Sequence, residues 1–314
     1  MDARQNGRRI ALKLHGIIPA TVLPMTEDCG IDEKALEGYI EWLLDQGPHA
    51  LAINVDTGEG PHLWPEERVR VLEIVRGVVS GQVPLISGLG ATFDDAAIKS
   101  AREAEAAGAD ALLVFPIPAW RGEPLPPEMV YDYHRKVADA VSIPLVAFQL
   151  QDALGGVEFG REVLERLFEI PEVVAIKEAA FDARKYVETV RFLRSLPRDI
   201  SILTGNDNFI MESFVLDADG ALIGFGTLAT RMQVDMYEAW VRGDAEEALE
   251  LGKKIQRLAD VIFDHPVRDY RVRTKEALVM QGVIPRATVR PPLRGVDDED
   301  RTRIRGALEE IGLI

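Results

Sequence analysis

The residues best suited to chemistry stand at the end of one short apolar segment, residues 173–179 (VVAIKEA). A continuous apolar run of this length is typical of a parallel strand that is buried on both faces. A lysine at the carboxyl end of such a strand would be partly desolvated, which lowers the pKa of its ammonium group and frees the neutral amine. Lys177 could then attack a carbonyl compound and form a Schiff base. On this segment alone a solvent-exposed lysine is the better interpretation, because most lysines are exposed.

A second group of polar residues, Asp56-Thr57-Gly58-Glu59, follows the apolar residues 50–55. A turn at glycine can direct successive backbone N–H groups inward, so Thr57 and the amides next to Gly58 could hold a carboxylate. An ordinary turn with helix-capping residues is the alternative. Glu59 fits this structural role better than a chemical one.

The elements that must position these residues alternate between strand and helix. Strands are predicted over 17–24, 50–55, 83–90, 110–116, 143–150, 173–178, 200–204 and 220–226. Helices follow each of them, beginning for example at Asp32, Pro65 and Asp94. Eight such units predict an α/β chain that forms a closed (β/α)8 TIM barrel. An open doubly wound sheet would need a glycine fingerprint after its first strand, and residues 21–25 contain none.

The remaining chain contains no predicted strand and reads as three further helices. We therefore predict a barrel domain over residues 14–243 and a C-terminal three-helix extension over residues 244–314. In such barrels catalysis takes place at the carboxyl ends of the strands. The residues predicted there are Thr21, Asp56 to Glu59, Phe148, Gln149, Lys177, Glu178, Gly205, Asn206, Asp207, Gly224, Phe225 and Gly226. A polar rim rich in glycine thus surrounds one amine, which favours a functional role for Lys177 and Thr57.

Composition excludes several classes of partner. The chain has 314 residues, 47% of them hydrophobic, and a net charge of −16, which argues against nucleic acid and against an anionic membrane surface. Cys29 is the only cysteine, so no internal disulfide can form and a reducing compartment is indicated. Residues 1–13 are basic but lack an apolar signal core, and no apolar run is long enough to span a membrane. These features predict a cytoplasmic protein. His15 and His62 lack the paired spacing of metal ligands.

Across nearly its whole length the chain resembles the family of dihydrodipicolinate synthase and N-acetylneuraminate lyase, the pyruvate-dependent class I lyases. The motifs that carry the resemblance are Thr57-Gly58-Glu59, Pro144 before Phe148, Ile176-Lys177-Glu178, Gly205-Asn206-Asp207, Gly220 to Gly224, Arg290-Pro291-Pro292 and Ile311-Gly312-Leu313. The resemblance implies that Lys177 forms the Schiff base and that Thr57, with neighbouring amides, binds the carboxylate of a 2-oxo acid substrate. Gly58, Phe148, Gly205 and Gly224 are the other candidates for the substrate site. The resemblance also implies a homotetramer or homodimer without metal or organic cofactor.

The chain departs from the family pattern at four places. The tyrosine that relays protons from the fifth strand is replaced by Phe148, which cannot donate a hydrogen bond. Asp56 replaces the first of two paired threonines. The family's second tyrosine would fall near Ile117, where this sequence has no tyrosine. The arginine that binds a second substrate carboxylate in the synthase would fall near Ala153, and it is also missing. We therefore predict a divergent member rather than a true dihydrodipicolinate synthase.

The missing proton chemistry needs another group, and Asp56, Glu59, Gln149 and His62 are candidates. Asp56 is preferred as general acid or base, because burial beside Phe148 would raise its pKa. Trp120 and Arg121 could line the pocket or form an exposed loop pair.

Three functions compete. The first is a Schiff-base aldolase, lyase or dehydratase that acts on a 2-oxo acid such as pyruvate or a keto-deoxy sugar acid. The second is a catalytically silent paralogue that binds a small metabolite, which the phenylalanine at position 148 motivates. The third is an enzyme without lysine chemistry that uses Asp56 and Glu178 as an acid/base pair.

Overall fold

The computed structural model describes residues 12–314, and the basic segment before them lies outside the described residues. Eight strands alternate with eight helices along the first three quarters of the chain. The strands are β1 (Gly16–Pro19), β2 (Leu51–Ile53), β3 (Leu85–Leu89), β4 (Ala111–Val114), β5 (Leu145–Leu150), β6 (Val173–Ala179), β7 (Ser201–Thr204) and β8 (Gly220–Ile223). The helices between and after them are α1 (Glu33–Asp45), α2 (Pro65–Val79), α3 (Asp94–Ala106), α4 (Pro127–Ala140), α5 (Arg161–Leu167), α6 (Ala183–Arg194), α7 (Ile210–Val215) and α8 (Thr230–Val241).

The strands form one parallel sheet that bends round on itself. Each strand from β2 to β7 pairs with the next one in the chain, and β8 pairs with β1. A single bridge between Ala20 and Ala52 joins β1 to β2 and brings the two ends of the sheet together. The prediction of a (β/α)8 TIM barrel is confirmed.

Two apolar layers hold the barrel together, because successive side chains of a strand point to opposite faces. The inner layer fills the barrel and includes Ile18, Ala52, Val146, Ala175 and Leu222. The outer layer joins the strands to the helices. Alternation therefore places Lys177, between Ala175 and Ala179, on the inner face of β6.

The C-terminal extension contains the three predicted helices, α9 (Ala245–Ile262), α10 (Tyr270–Met280) and α11 (Asp298–Ile311). Asp244 and Asp297 cap the first and last of them by accepting backbone N–H bonds from Glu247 and Asp300. Helix α9 packs against α8 and α11, which attaches the extension to the barrel.

The main difference from the predicted elements lies in the lengths of the first and last strands. Strand β1 ends at Pro19 rather than near Pro24, since the chain then leaves the sheet and forms a turn in which the Thr26 N–H binds the Gly30 carbonyl. Strand β8 ends at Ile223, and a short 3-10 helix, Phe225–Thr227, follows it. Among the helices of residues 12–314, none combines the length and apolar character needed to cross a membrane.

Candidate active site

Lys177 lies inside the barrel near the carboxyl end of β6. Its strand neighbours are Phe148 on β5 and Leu203 on β7, and its residue is only 8% exposed. The ammonium nitrogen stands 4.4 Å from the centre of the Phe148 ring. Burial lowers the pKa of Lys177 to about 8, although the charges of Asp207 and Asp56 oppose this effect. An appreciable fraction of the amine is therefore neutral near physiological pH.

Asp207 supplies a buried carboxyl group near this amine. It follows β7 and accepts a hydrogen bond of 2.8 Å from the backbone N–H of Phe225. Burial raises the pKa of Asp207 to about 7, against the lowering effect of the Lys177 charge. Asp207 and Lys177 thus influence each other's pKa through their charges, without a direct hydrogen bond between them among the described residues. The sequence placed Asp207 on the rim but gave it no role of its own.

Two glycines give these groups the space they occupy. A Cβ atom on Gly205 would stand 2.7 Å from Cε of Lys177. A Cβ atom on Gly224 would stand 3.0 Å from the hydroxyl oxygen of Thr57 and 3.1 Å from the ring of Tyr270. Both positions therefore need glycine because side chains of the site pass close to the backbone.

The turn after β2 brings Thr57 to the same end of the barrel. Thr57 is buried, and its hydroxyl lies 3.4 Å from the hydroxyl of Tyr270. Gly58 approaches the backbone of Thr21, where a Cβ atom would stand 2.8 Å from the carbonyl oxygen. The turn is thus held against the chain that leaves β1, with Thr57 beside the end of β8.

Asp56 does not have the surroundings that the sequence suggested. Its side chain is 27% exposed rather than buried against Phe148, and it forms an ion pair of 2.5 Å with Arg271. The hydroxyl of Tyr270 donates a second bond of 2.7 Å to the same carboxylate. The expectation that Asp56 is buried beside Phe148 is therefore wrong, because the carboxylate is partly exposed and bound by two residues of α10. Asp56 remains close enough to Lys177 to raise the pKa of its amine.

Glu59 is a structural residue at the base of the same turn. Its backbone is left-handed, with φ of 57°, and its carboxylate is fully buried against Lys275 of α10 at 2.5 Å. The other carboxylate oxygen accepts a bond of 2.8 Å from the backbone N–H of Arg290. Glu59 therefore ties the turn to the C-terminal extension.

Glu178 and Gln149 lie on the outer face of the barrel wall. The Glu178 carboxylate accepts bonds from the side-chain amides of Gln149 (2.9 Å) and Asn206 (2.7 Å). Burial raises its pKa to about 6. Because Glu178 follows Lys177 in the strand, it points away from the barrel interior, and it does not face Asp56. The geometry gives no support to an acid/base pair of Asp56 and Glu178, or to Gln149 as a proton donor inside the barrel.

The other candidates lie away from the amine or have structural contacts. Trp120 is buried and stacks on His134, with 5.6 Å between the ring centres, so it is neither an exposed loop residue nor part of the site around Lys177. Arg121 is exposed and donates to the backbone of Gly155. His62 is half-buried, and its Nδ1 atom has no hydrogen-bond partner among the described residues. Within residues 12–314, no three His, Cys, Asp or Glu side chains are grouped to hold a metal ion.

Tyr270 and Arg271 were missed by the sequence analysis. Both belong to α10, and the contact between Tyr270 and Asp56 spans 214 positions of the chain. No local pattern marks either residue, because a contact of that separation is set by how the extension packs on the barrel. The site therefore draws on the C-terminal helices as well as on the strands.

Comparison with known proteins places this chain in one family. The model of the Dihydrodipicolinate synthetase family matches residues 13–311. The 4-hydroxy-tetrahydrodipicolinate synthase of Thermodesulfovibrio yellowstonii is 30% identical over 299 residues, which cover 95% of this chain and 99% of that protein. The enzyme of the same name from Methanopyrus kandleri is 29% identical over 307 residues, which cover 97% and 99%.

A solved structure gives the same result. The dihydrodipicolinate synthase of Acinetobacter baumannii complexed with pyruvate superposes with a TM-score of 0.85 at 29% identity, covering 96% of this chain and 100% of that one. The chain belongs to the dihydrodipicolinate synthetase family. The resemblance identified from the sequence motifs is thereby confirmed.

Proposed function

We propose that the protein is a class I lyase, an aldolase or dehydratase, that forms a Schiff base between Lys177 and a 2-oxo acid. The observation that carries this proposal is a lysine buried inside the barrel beside an aromatic ring, with its pKa lowered to about 8. Membership of a family whose relatives include a synthase complexed with pyruvate supports a 2-oxo acid as the substrate, with pyruvate or a keto-deoxy sugar acid as the proposed compounds. We further propose a cytoplasmic homotetramer or homodimer that needs no metal and no organic cofactor.

The proposed reaction begins with attack of the neutral amine on the keto carbon. The keto oxygen leaves as water and an imine links Lys177 to the substrate. The imine withdraws electrons from the neighbouring carbon and stabilises the negative charge that develops there. A carbon–carbon or carbon–oxygen bond of the substrate next to the imine can therefore be broken or formed. Thr57 and the amides next to Gly58 would hold the carboxylate of the 2-oxo acid.

Asp207 is a second proposed catalytic residue. With a pKa of about 7, its carboxyl group can both accept and return a proton at physiological pH. It is within electrostatic reach of the Lys177 amine. We assign it the proton that moves on and off the substrate carbon next to the imine.

The first experiment is reductive capture of the imine. The protein is incubated with pyruvate and borohydride, and the adduct is mapped by mass spectrometry. A pyruvyl adduct on Lys177 is expected in the wild type and in Lys253→Ala, an exposed lysine of α9, and none in Lys177→Ala. Capture of the Lys177→Ala protein in the same peptide would show that the assignment is wrong. Absence of an adduct with a panel of 2-oxo acids would also contradict the proposal.

A silent paralogue that binds a small metabolite is the second candidate. The observation that favours it is Phe148, whose ring lies against the Lys177 amine and offers no hydroxyl group. Under this alternative the protein binds pyruvate but turns over no aldol or dehydration substrate. Gain of turnover in Phe148→Tyr would support it.

A further inference from the structure

One hydroxyl group in the site has no role in the function proposed above. Tyr270, the first residue of α10, is only 4% exposed and donates a hydrogen bond of 2.7 Å to Asp56. Its ring stacks on Phe263 with 4.7 Å between the centres and passes close to Gly224 at the end of β8. The Thr57 hydroxyl lies 3.4 Å away on its other side. A phenol is thus fixed between the proposed carboxylate-binding turn and the side chain of Asp56.

Arg271, the next residue of α10, fixes the carboxylate. Its guanidinium group donates to the backbone carbonyl of Asp56 at 2.9 Å and to the side chain at 2.5 Å. This arrangement leaves one oxygen of Asp56 for the Tyr270 hydroxyl. Asp56 is also near enough to Lys177 to act on the charge of its amine. Thr57, Tyr270 and Asp56 therefore form a chain of polar groups, and Asp56 at its end is within electrostatic reach of the Lys177 amine.

We propose that Tyr270 and Asp56 together form the proton relay for imine formation at Lys177. The proposal deepens the function proposed above and rests on it. In a 2-oxo acid the carboxylate and the keto group are one bond apart. If Thr57 holds the carboxylate and Lys177 attacks the keto carbon, the keto oxygen must lie close to the pair that flanks Thr57.

The relay accounts for every proton in the step. The neutral amine carries two protons, and the carbonyl oxygen must receive both of them to leave as water while the carbon–nitrogen double bond forms. When the Tyr270 oxygen accepts a proton from the nitrogen, the hydroxyl proton of Tyr270 moves to Asp56. Tyr270 then donates a proton to the substrate oxygen and takes one back from Asp56, and the cycle repeats for the second proton. The phenol oxygen never carries a full charge. This suits its surroundings, because burial and the Asp56 charge hold the pKa of Tyr270 well above its ordinary value.

Removal of the hydroxyl alone tests the relay. In Tyr270→Phe the ring and its stacking on Phe263 remain, so we expect oxo-acid binding to persist. The rate constant for pyruvyl-adduct formation at saturating pyruvate should fall about 100-fold. Rapid borohydride quenching and mass spectrometry measure this rate constant. The pyruvate concentration at half-saturation should change less than about threefold. Tyr237→Phe is the matched control, since its hydroxyl binds the backbone of Asp219 at the opposite end of β8.

Asp56→Asn is the second variant, because an amide keeps the shape of the carboxylate but cannot take up the proton. We expect a similar loss of rate, and a Tyr270→Phe/Asp56→Asn double variant no slower than the slower single variant, as for two members of one relay. A Tyr270→Phe rate equal to that of the wild type would overturn the relay and leave the Schiff base at Lys177 intact. Independent, multiplicative losses would also overturn it. A wild-type protein that forms no adduct with any 2-oxo acid would overturn the proposed function, and the relay with it.

Discussion

Burial of Lys177 lowers the pKa of its ammonium group, and this makes the amine reactive. Its residue is buried, its ammonium group lies over the Phe148 ring, and no carboxylate among the described residues makes a direct ion pair with it. The charges of Asp207 and Asp56 act at longer range and raise the pKa of Lys177 part of the way back. The balance leaves the pKa near 8, low enough to supply a nucleophile and high enough to recharge the amine for the next cycle.

The pH dependence of adduct formation follows from that balance. Below about pH 8 the Lys177 amine is mainly protonated and cannot attack a keto carbon. The rate of pyruvyl-adduct formation should therefore rise with pH and level off above about pH 8. Samples reacted at each pH and quenched with borohydride at one fixed pH would measure it. A rise only near the ordinary lysine pKa of about 10.4 would contradict the lowered value.

Gly205 offers a test of the space around the amine. In Gly205→Ala the new methyl group would stand 2.7 Å from Cε of Lys177 and 2.8 Å from Cβ of Ala179. The lysine must move, so we expect the rate of adduct formation to fall at least tenfold, since small misplacements of reacting groups are costly. Gly90→Ala is the control, because Gly90 follows β3 and has open space around it. Equal rates in the two variants would show that Gly205 does not set the position of Lys177.

At the scale of the element, α10 is the part of the extension that shapes the site. Tyr270 and Arg271 bind Asp56, and one turn later Lys275 binds Glu59. One helix thus holds both ends of the turn that contains Thr57. These contacts give the extension a part in shaping the candidate site.

The buried pair of Lys275 and Glu59 should be important for stability. Both side chains are fully buried, and Lys275→Met would leave the Glu59 carboxylate without its main partner. We expect the free energy of unfolding to fall by about 3 to 5 kcal/mol, measured by urea denaturation. Lys253→Met, which removes an exposed partner of Glu250, should leave the midpoint almost unchanged. Similar midpoints for the two variants would contradict the structural role of the pair.

The sequence predicted the elements well and their contacts only in part. Helix α1 begins after its cap at Asp32, and α2 begins at Pro65, as their capping signals indicate. The inner position of Lys177 follows from strand alternation once the barrel is recognised. The ion pair of Asp56 with Arg271 could not be predicted, because it joins residues 215 positions apart through the packing of the extension. The surroundings of Asp56 were misjudged for that reason, whereas a part for it in proton transfer stays a prediction.

At the scale of the whole molecule, the site is assembled within a single chain. Lys177, Asp207, Thr57 and Asp56 come from the barrel, and Tyr270 comes from the extension of the same subunit. The described part of one chain therefore supplies every residue that the proposed steps use. If these residues suffice, the oligomer that we propose on the basis of the family should not change the rate per subunit.

Dilution tests whether one chain is sufficient for imine formation. Sedimentation velocity should give a mass of two or four times 34.8 kDa at high concentration. If the oligomer dissociates on dilution, the rate constant for pyruvyl-adduct formation per subunit should stay constant while folded subunits remain, as followed by circular dichroism. A rate constant that falls in step with the fraction of oligomer, at constant helix content, would mean that a neighbouring subunit completes the site. In that case the single-chain relay of Tyr270 and Asp56 would not be sufficient for imine formation.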